Sequence, residues 1–119
     1  MNPEQPWIQI APGIRRQTIT TGATMYRMRA QLDAGGLLPE HQHPQDQITH
    51  VIKGRVRMMV NGEPRELSAG ESLYLPGNTP HGAQAIEDTS VIDTFSPPRA
   101  DYLAADAEAH RTAPPAPAG

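Results

Sequence analysis

His41 and His43 stand one residue apart, and Gln47 follows four residues later, all within PEHQHPQDQITH at positions 39–50. That short segment, with His50 at its end, holds three of the chain's five histidines. In an extended strand, residues i and i+2 point to the same side, so His41 and His43 can aim at one point. Gln47 keeps their parity, allowing for a turn near Pro44. A ligand from a distant strand would close a cage, and PGNTPHG (76–82) offers His81 after a turn punctuated by proline and glycine. The chemistry open to such a set is capture of a divalent ion by neutral nitrogen and oxygen donors. With no cysteine in the chain, any metal must be held by histidine, carboxylate or amide groups. An HxH in a polar loop, or a single turn histidine, is also commonly just solvent-exposed, so the surrounding frame has to decide. His50 has the opposite parity to Gln47 and is expected to point away, to a structural or interface role; His110 is expected to be solvated.

The elements that must position these residues read as strands. TMYRMRAQL (24–32) alternates, with Tyr26, Met28, Ala30 and Leu32 on one face and Arg27, Arg29 and Gln31 on the other. ITHVI (48–52) is a strand ended by Gly54, and RVRMMV (55–60) sets Val56, Met58 and Val60 against Arg55, Arg57 and Met59. Asn61-Gly62 predicts a type I′ hairpin turn, and Ala69-Gly70 the next turn. ESLYLP, GAQAIED and TSVIDTFS supply further strands. No segment before residue 100 has helical periodicity. Short strands at this spacing predict an antiparallel sandwich or barrel. After residue 102 the chain changes character: LAADAEAHR can form two helical turns, and TAPPAPAG is linker material. The expected organisation is a barrel domain over 1–102 and a C-terminal arm, rich in Ala and Pro, over 103–119.

The totals narrow the function classes. The 119 residues suggest one domain, and with aromatics at 4% the core must be mostly aliphatic. A net charge of −3 without a long basic run points away from nucleic acid and from anionic membranes. No apolar stretch approaches the ~20 residues of a membrane span, and the N-terminus lacks the regions of a signal peptide. A cytoplasmic protein is expected.

The frame around the histidines resembles the cupin superfamily. Its first motif, G-x5-H-x-H-x3-E-x6-G, is matched by Gly35, His41, His43, Gln47 and Gly54, with Gln47 in place of Glu. Its second motif, G-x5-P-x-G-x2-H-x3-N, is matched by Gly70, Pro76 and His81. There Asn78 replaces a glycine, tolerable because Asn accepts αL geometry, and Ala85 replaces the final Asn. This resemblance implies an all-β fold, a single jelly-roll (double-stranded β-helix) cupin barrel followed by the short arm. A third stretch, DTFSPPRADYL (93–103), has the form D-x-F-x-P-x-R. Together with HQHPQDQ it is similar to the small cupins of pectin and alginate breakdown that linearise unsaturated uronates. That resemblance implies one divalent metal on His41, His43, Gln47 and His81, with Asp93, Phe95 and Arg99 as further site residues.

Three imidazoles and an amide would leave the charge of such an ion uncompensated, which suits a Lewis acid acting on an anionic small molecule. Zn, Ni, Mn, Fe and Co all accept such ligands. The implied reaction is ring opening and tautomerisation of a 4,5-unsaturated uronate to a linear keto-acid. Arg99 would pair with the substrate carboxylate, bidentate if geometry allows, and Asp93 would move the proton. Phe95 is either a core aromatic or a wall of the site. An iron-dependent dioxygenase and a non-catalytic metabolite- or sugar-binding cupin are the other readings. A homodimer is expected, with Trp7, Ile8, Met25 and Met59 as apolar residues that could cover a sheet face.

Overall fold

A computed structural model describes residues 4–112. Ten strands form two antiparallel sheets, and one helix follows them. In chain order the strands are β1 (Trp7–Ala11), β2 (Ile14–Thr21), β3 (Tyr26–Leu32), β4 (Leu37–His41) and β5 (Asp46–Lys53). They continue as β6 (Arg55–Val60), β7 (Glu63–Ser68), β8 (Ser72–Leu75), β9 (His81–Ala85) and β10 (Thr89–Ser96). The larger sheet has the order β1-β2-β3-β10-β5-β8 and the smaller β4-β9-β6-β7. Both sheets contribute to one buried cluster: Val51 and Val91 from the larger meet Val56, Met58, Ala83 and Ala85 from the smaller. This is the expected all-β jelly-roll barrel. Among the described residues no helix is long and apolar enough to cross a membrane.

The alternation read in the chain is the alternation of burial. Tyr26, Met28, Ala30 and Leu32 are buried along β3, and Val56 and Met58 along β6, while Arg27, Arg29, Arg55 and Arg57 are exposed and Gln31 is half-buried. The β6–β7 hairpin turns at Asn61 and Gly62, both at positive φ (52° and 80°), as a type I′ turn requires. The strands before residue 24 escape the same reading for a physical reason. β2 turns Arg16, Gln17 and Thr18 inward or against other elements, all buried, and its pairing with β3 slips between Thr18 and Thr20. A polar buried face carries no hydrophobic period to detect.

Past β10, helix α1 (Ala100–Thr112) is longer than two turns. Five alanines favour it, Asp101 lies in its first turn, and His110 and Arg111 lie in its last, each matching the helix dipole. The helix lies on the barrel: Tyr102 and Leu103 pack against a second buried cluster of Tyr26, Met28 and Phe95. The linker segment expected at the C-terminus lies, from residue 113 on, outside the described residues.

Candidate metal centre

His41 is the last residue of β4 and pairs directly with His81, the first residue of β9. His43 lies beyond β4 in the loop to β5, so strand parity alone does not bring it beside His41. Two loops do that jointly. The Asn78 N–H donates to the His43 carbonyl at 2.7 Å, and the Gly77 N–H to Asp46 Oδ1 at 2.7 Å. A Cβ at Gly77 would stand 2.3 Å from the Pro44 carbonyl oxygen, so only glycine lets these loops touch. Asn78 adopts φ 62°, the left-handed geometry expected of it. Gln47 comes from the inward face of β5, where it pairs with Phe95 of β10, and Thr49 one step on pairs with Asp93.

The three histidine rings converge. Ring centroids are 4.4 Å apart for His41 and His81, 5.0 Å for His43 and His81, and 5.7 Å for His41 and His43. One nitrogen from each ring lies within 4.8 Å of the other two; nitrogens each ~2.1 Å from one ion stand about 3.0–3.4 Å apart, so the rings need close only modestly on an ion. Each Nδ1 points at a backbone carbonyl: His41 at Pro39 (3.0 Å), His43 at Gln45 (3.1 Å) and His81 at Thr79 (2.7 Å). A carbonyl only accepts, so each Nδ1 carries the hydrogen and each Nε2 presents a lone pair. Backbone carbonyls holding the second ring nitrogen are the usual outer partners of metal-bound histidines.

Burial pushes His81 down to about 4 and also lowers His43, for which the Arg99 charge is the next cause. Both are neutral at ordinary pH, as ligands must be. His43 Nε2 meets Gln47 Oε1 at 3.0 Å while Gln47 Nε2 donates to Thr49 Oγ1 at 2.9 Å. Two acceptors therefore face each other across 3.0 Å. Three bare Nε2 atoms and an amide oxygen turned on one region are a donor set that a divalent cation fits.

Beside this cage lies a second layer from β10. Asp93 and Phe95 share the inward face, as their parity requires. Burial raises the Asp93 carboxyl to about 6, against hydrogen bonding from Thr49 and Gln47 and the charge of Arg99, and its Oδ1 has no partner. The Phe95 ring packs edge-on to His43 at 5.5 Å and also belongs to the buried cluster with Tyr26, so it is both wall and core. Arg99 is buried, with its guanidinium carbon 4.9 Å from the Phe95 centroid and 3.8 Å from that of Tyr102. Its Nε and Nη2 donate to the two oxygens of Asp101 at 3.0 and 2.9 Å. The side-on edge of Arg99 is thus occupied by a residue two positions away; the end-on edge bearing Nη1 makes no ion pair among the described residues.

Four residues near the site carry no mark in the motifs. Thr49 shares the parity of Gln47, a signal available from the strand alone. Asp101, Tyr102 and Gln45 have none, since each acts through a contact set by the tertiary fold. Gln45 Nε2 donates to the Pro98 carbonyl at 3.3 Å, tying the histidine loop to the segment before Arg99. His50 lies outside the cage and bonds Ser72 Oγ at 2.6 Å, and His110 is exposed, both as expected.

Comparison with known proteins bears on the family and the fold. The cupin domain family profile matches residues 28–94. The pectin degradation protein KdgF of Dickeya dadantii is 36% identical over 102 residues, covering 84% of this chain and 93% of the relative. The solved structure of KdgF from Halomonas sp. superposes with a TM-score of 0.78 at 34% identity, covering 87% of this chain and 100% of that one. An RmlC-like cupin from Shewanella frigidimarina superposes with a TM-score of 0.77 at 30% identity, covering 82% and 88%.

Proposed function

Because the chain belongs to the cupin domain family, we propose that it is a metal-dependent isomerase that opens a 4,5-unsaturated uronate and tautomerises it to a linear keto-acid. The Dickeya dadantii relative named as a pectin degradation protein, and the solved structure that shares its KdgF name, support this substrate class. The observation that carries the reading is Asp93: a buried carboxyl with a free Oδ1 and a pKa raised to about 6, in the layer beside the four-atom cage. Linearisation is a proton transfer without net oxidation, and a carboxyl poised near neutrality suits it.

In this reading His41, His43, Gln47 and His81 hold one divalent ion, drawn from Zn, Ni, Mn, Fe and Co. When bound, such an ion supplies Lewis acidity toward substrate oxygens. Asp93 takes the proton of the anomeric hydroxyl; the ring C–O bond breaks with its electron pair going to the ring oxygen, leaving an aldehyde and an enolate. The proton on Asp93 then goes to the alkene carbon and the enolate becomes a ketone, so atoms and charge balance and the carboxylate is regenerated. Arg99 meets the substrate carboxylate through its end-on edge, since Asp101 holds the other. Phe95 forms the apolar wall between them. The chain works as a homodimer through the outer face of the six-stranded sheet, where Met25, Ile48, Ile52 and Tyr74 are exposed. Sedimentation at micromolar concentration should show a dimer, and a monomer would remove that part.

The test is turnover of an unsaturated uronate by metal-loaded protein, followed by loss of the conjugated-ene absorbance with an oxygen electrode in the same cell. Absorbance loss without oxygen uptake is expected. Stoichiometric oxygen consumption would turn the reading to a dioxygenase, and calorimetric binding without any turnover to a binding module.

A further inference from the structure

Gln47 and Thr49 are neighbours on the inward face of β5, and Thr49 sits directly across the ladder from Asp93. A primary amide keeps its shape when its oxygen and nitrogen exchange places, so hydrogen-bond partners alone decide which atom faces His43. The His43 Nε2 lone pair, 3.0 Å away, would by itself draw the amide NH2 toward it and close an N–H···N bond inside the cage. The other end of the amide opposes that turn. Gln47 Nε2 donates to Thr49 Oγ1 at 2.9 Å, and Thr49 stands directly across the ladder from the buried Asp93, whose Oδ1 lacks a partner. Thr49 has one hydroxyl hydrogen. Used on the unpartnered carboxylate oxygen opposite, that hydrogen would leave the hydroxyl only able to accept from Gln47, which requires nitrogen on that side and sends oxygen to the cage.

We propose that Thr49 is a positioning residue that locks the Gln47 amide with Oε1 facing the cage, so that the fourth metal ligand is oriented by a hydroxyl outside the coordination sphere. This rests on the reading that His41, His43, Gln47 and His81 hold the ion. It accounts for a hydroxyl at 3% exposure on the inward face of β5, where the next inward residue is Val51. Threonine's branched Cβ also restricts χ1, holding that hydroxyl in one place.

The experiment uses the full chain stripped of metal, titrated with Zn²⁺ and with Ni²⁺ by calorimetry against a competing chelator. Thr49→Val keeps shape and removes the acceptor; its affinity should fall roughly 10–100-fold, the usual effect of losing an outer partner of a ligand. Thr49→Ser should restore most of that affinity. A purely structural threonine would instead lower the melting temperature of the metal-free Thr49→Val protein and leave metal affinity alone. Native affinity in Thr49→Val, or a loss in Thr49→Ser as large as in Thr49→Val, overturns the proposal. Should Thr49→Val not fold, Thr49→Ala against Thr49→Ser decides on the same criteria. His81→Ala in the same titration separates the two levels. If it binds as tightly as the native chain, the ligand set is wrong and this inference goes with it. If it loses binding while Thr49→Val does not, the role of Thr49 alone is overturned.

Discussion

Arg16 on β2 and Asp106 on α1 are 90 residues apart in the chain, yet Arg16 Nη1 donates to Asp106 Oδ1 at 2.9 Å with both side chains buried. Around this pair, Thr18 Oγ1 donates to Asp106 Oδ2 at 2.5 Å and Arg16 Nη2 to the Tyr102 carbonyl at 3.1 Å. The Arg16 guanidinium also lies 4.1 Å from the Tyr102 ring centroid. The C-terminal helix is therefore pinned to the larger sheet at the level of Tyr102, and Tyr102 in turn stacks on Arg99. A helix that the chain's composition marks as an appendage forms one wall beside the candidate site.

Asp106→Ala leaves the Arg16 charge buried without its partner, and removing one member of a buried pair typically costs about 3–5 kcal/mol. Asp106→Asn, which keeps the shape and an acceptor, should cost less. Urea unfolding of both variants checks this; a loss under about 1 kcal/mol for Asp106→Ala would mean the helix is held by its apolar contacts instead.

Asp93 makes stability depend on pH in a defined direction. Its native pKa of about 6 lies above the ordinary 3.8, so between these values the native state binds more protons than the unfolded state. Stability from this group is then lost as pH rises through that window. Asp93→Asn removes the dependence, so the stability difference between variant and native chain should move in favour of the variant by on the order of 2–3 kcal/mol from pH 4 to pH 7. His81, lowered to about 4, acts oppositely in both proteins and cancels in the comparison. Denaturation of metal-free protein across that range should show the divergence; parallel curves would contradict the raised pKa.

Turnover should separate Asp93 from Arg99. Arg99→Ala removes the cation proposed to meet the substrate carboxylate and should act mainly on KM. Asp93→Asn should leave binding intact and lower kcat by roughly 10²–10⁴-fold, the usual contribution of a general acid–base. It should also remove the acidic limb of the rate profile near pH 6 set by the raised carboxyl. Equal losses in affinity alone for both variants would end the enzymatic reading for that substrate.

Gln47→Glu tests the neutral cage. A carboxylate should bind the ion at least as tightly and damp its Lewis acidity, lowering turnover. It also cannot donate to Thr49, and it sets a second carboxyl beside Asp93, so the acidic limb should move to higher pH. Metal titration with a pH–rate profile checks both, and a rate equal to or above that of the native chain would remove the argument for a neutral ligand set.

The barrel itself was legible in the chain. Alternation along β3, β6 and β10 marked the inward faces, and Asn61-Gly62 and Asn78 marked backbone that must take positive φ. Where inward faces are polar, as in β2, the same signal vanishes. The histidine spacing named side chains that the fold brings together, but the strand argument did not extend to His43. His43 reaches the cage through the loop contact made possible by Gly77, which no periodicity reports.

The sequence by itself determined which side chains share a face and where the backbone must bend, because both follow from a pleat of period two and from local sterics. It therefore put Tyr26 with Met28 and Asp93 with Phe95. Only the tertiary structure decided which faces meet. His41 opposite His81, Asp93 opposite Thr49 and Arg16 against Asp106 all depend on which distant segments become neighbours. It also decided the electrostatics. The same Asp side chain is pushed to about 6 at position 93 by burial and held below its usual range at position 101 by the Arg99 guanidinium, a difference set by surroundings that the residue type does not carry.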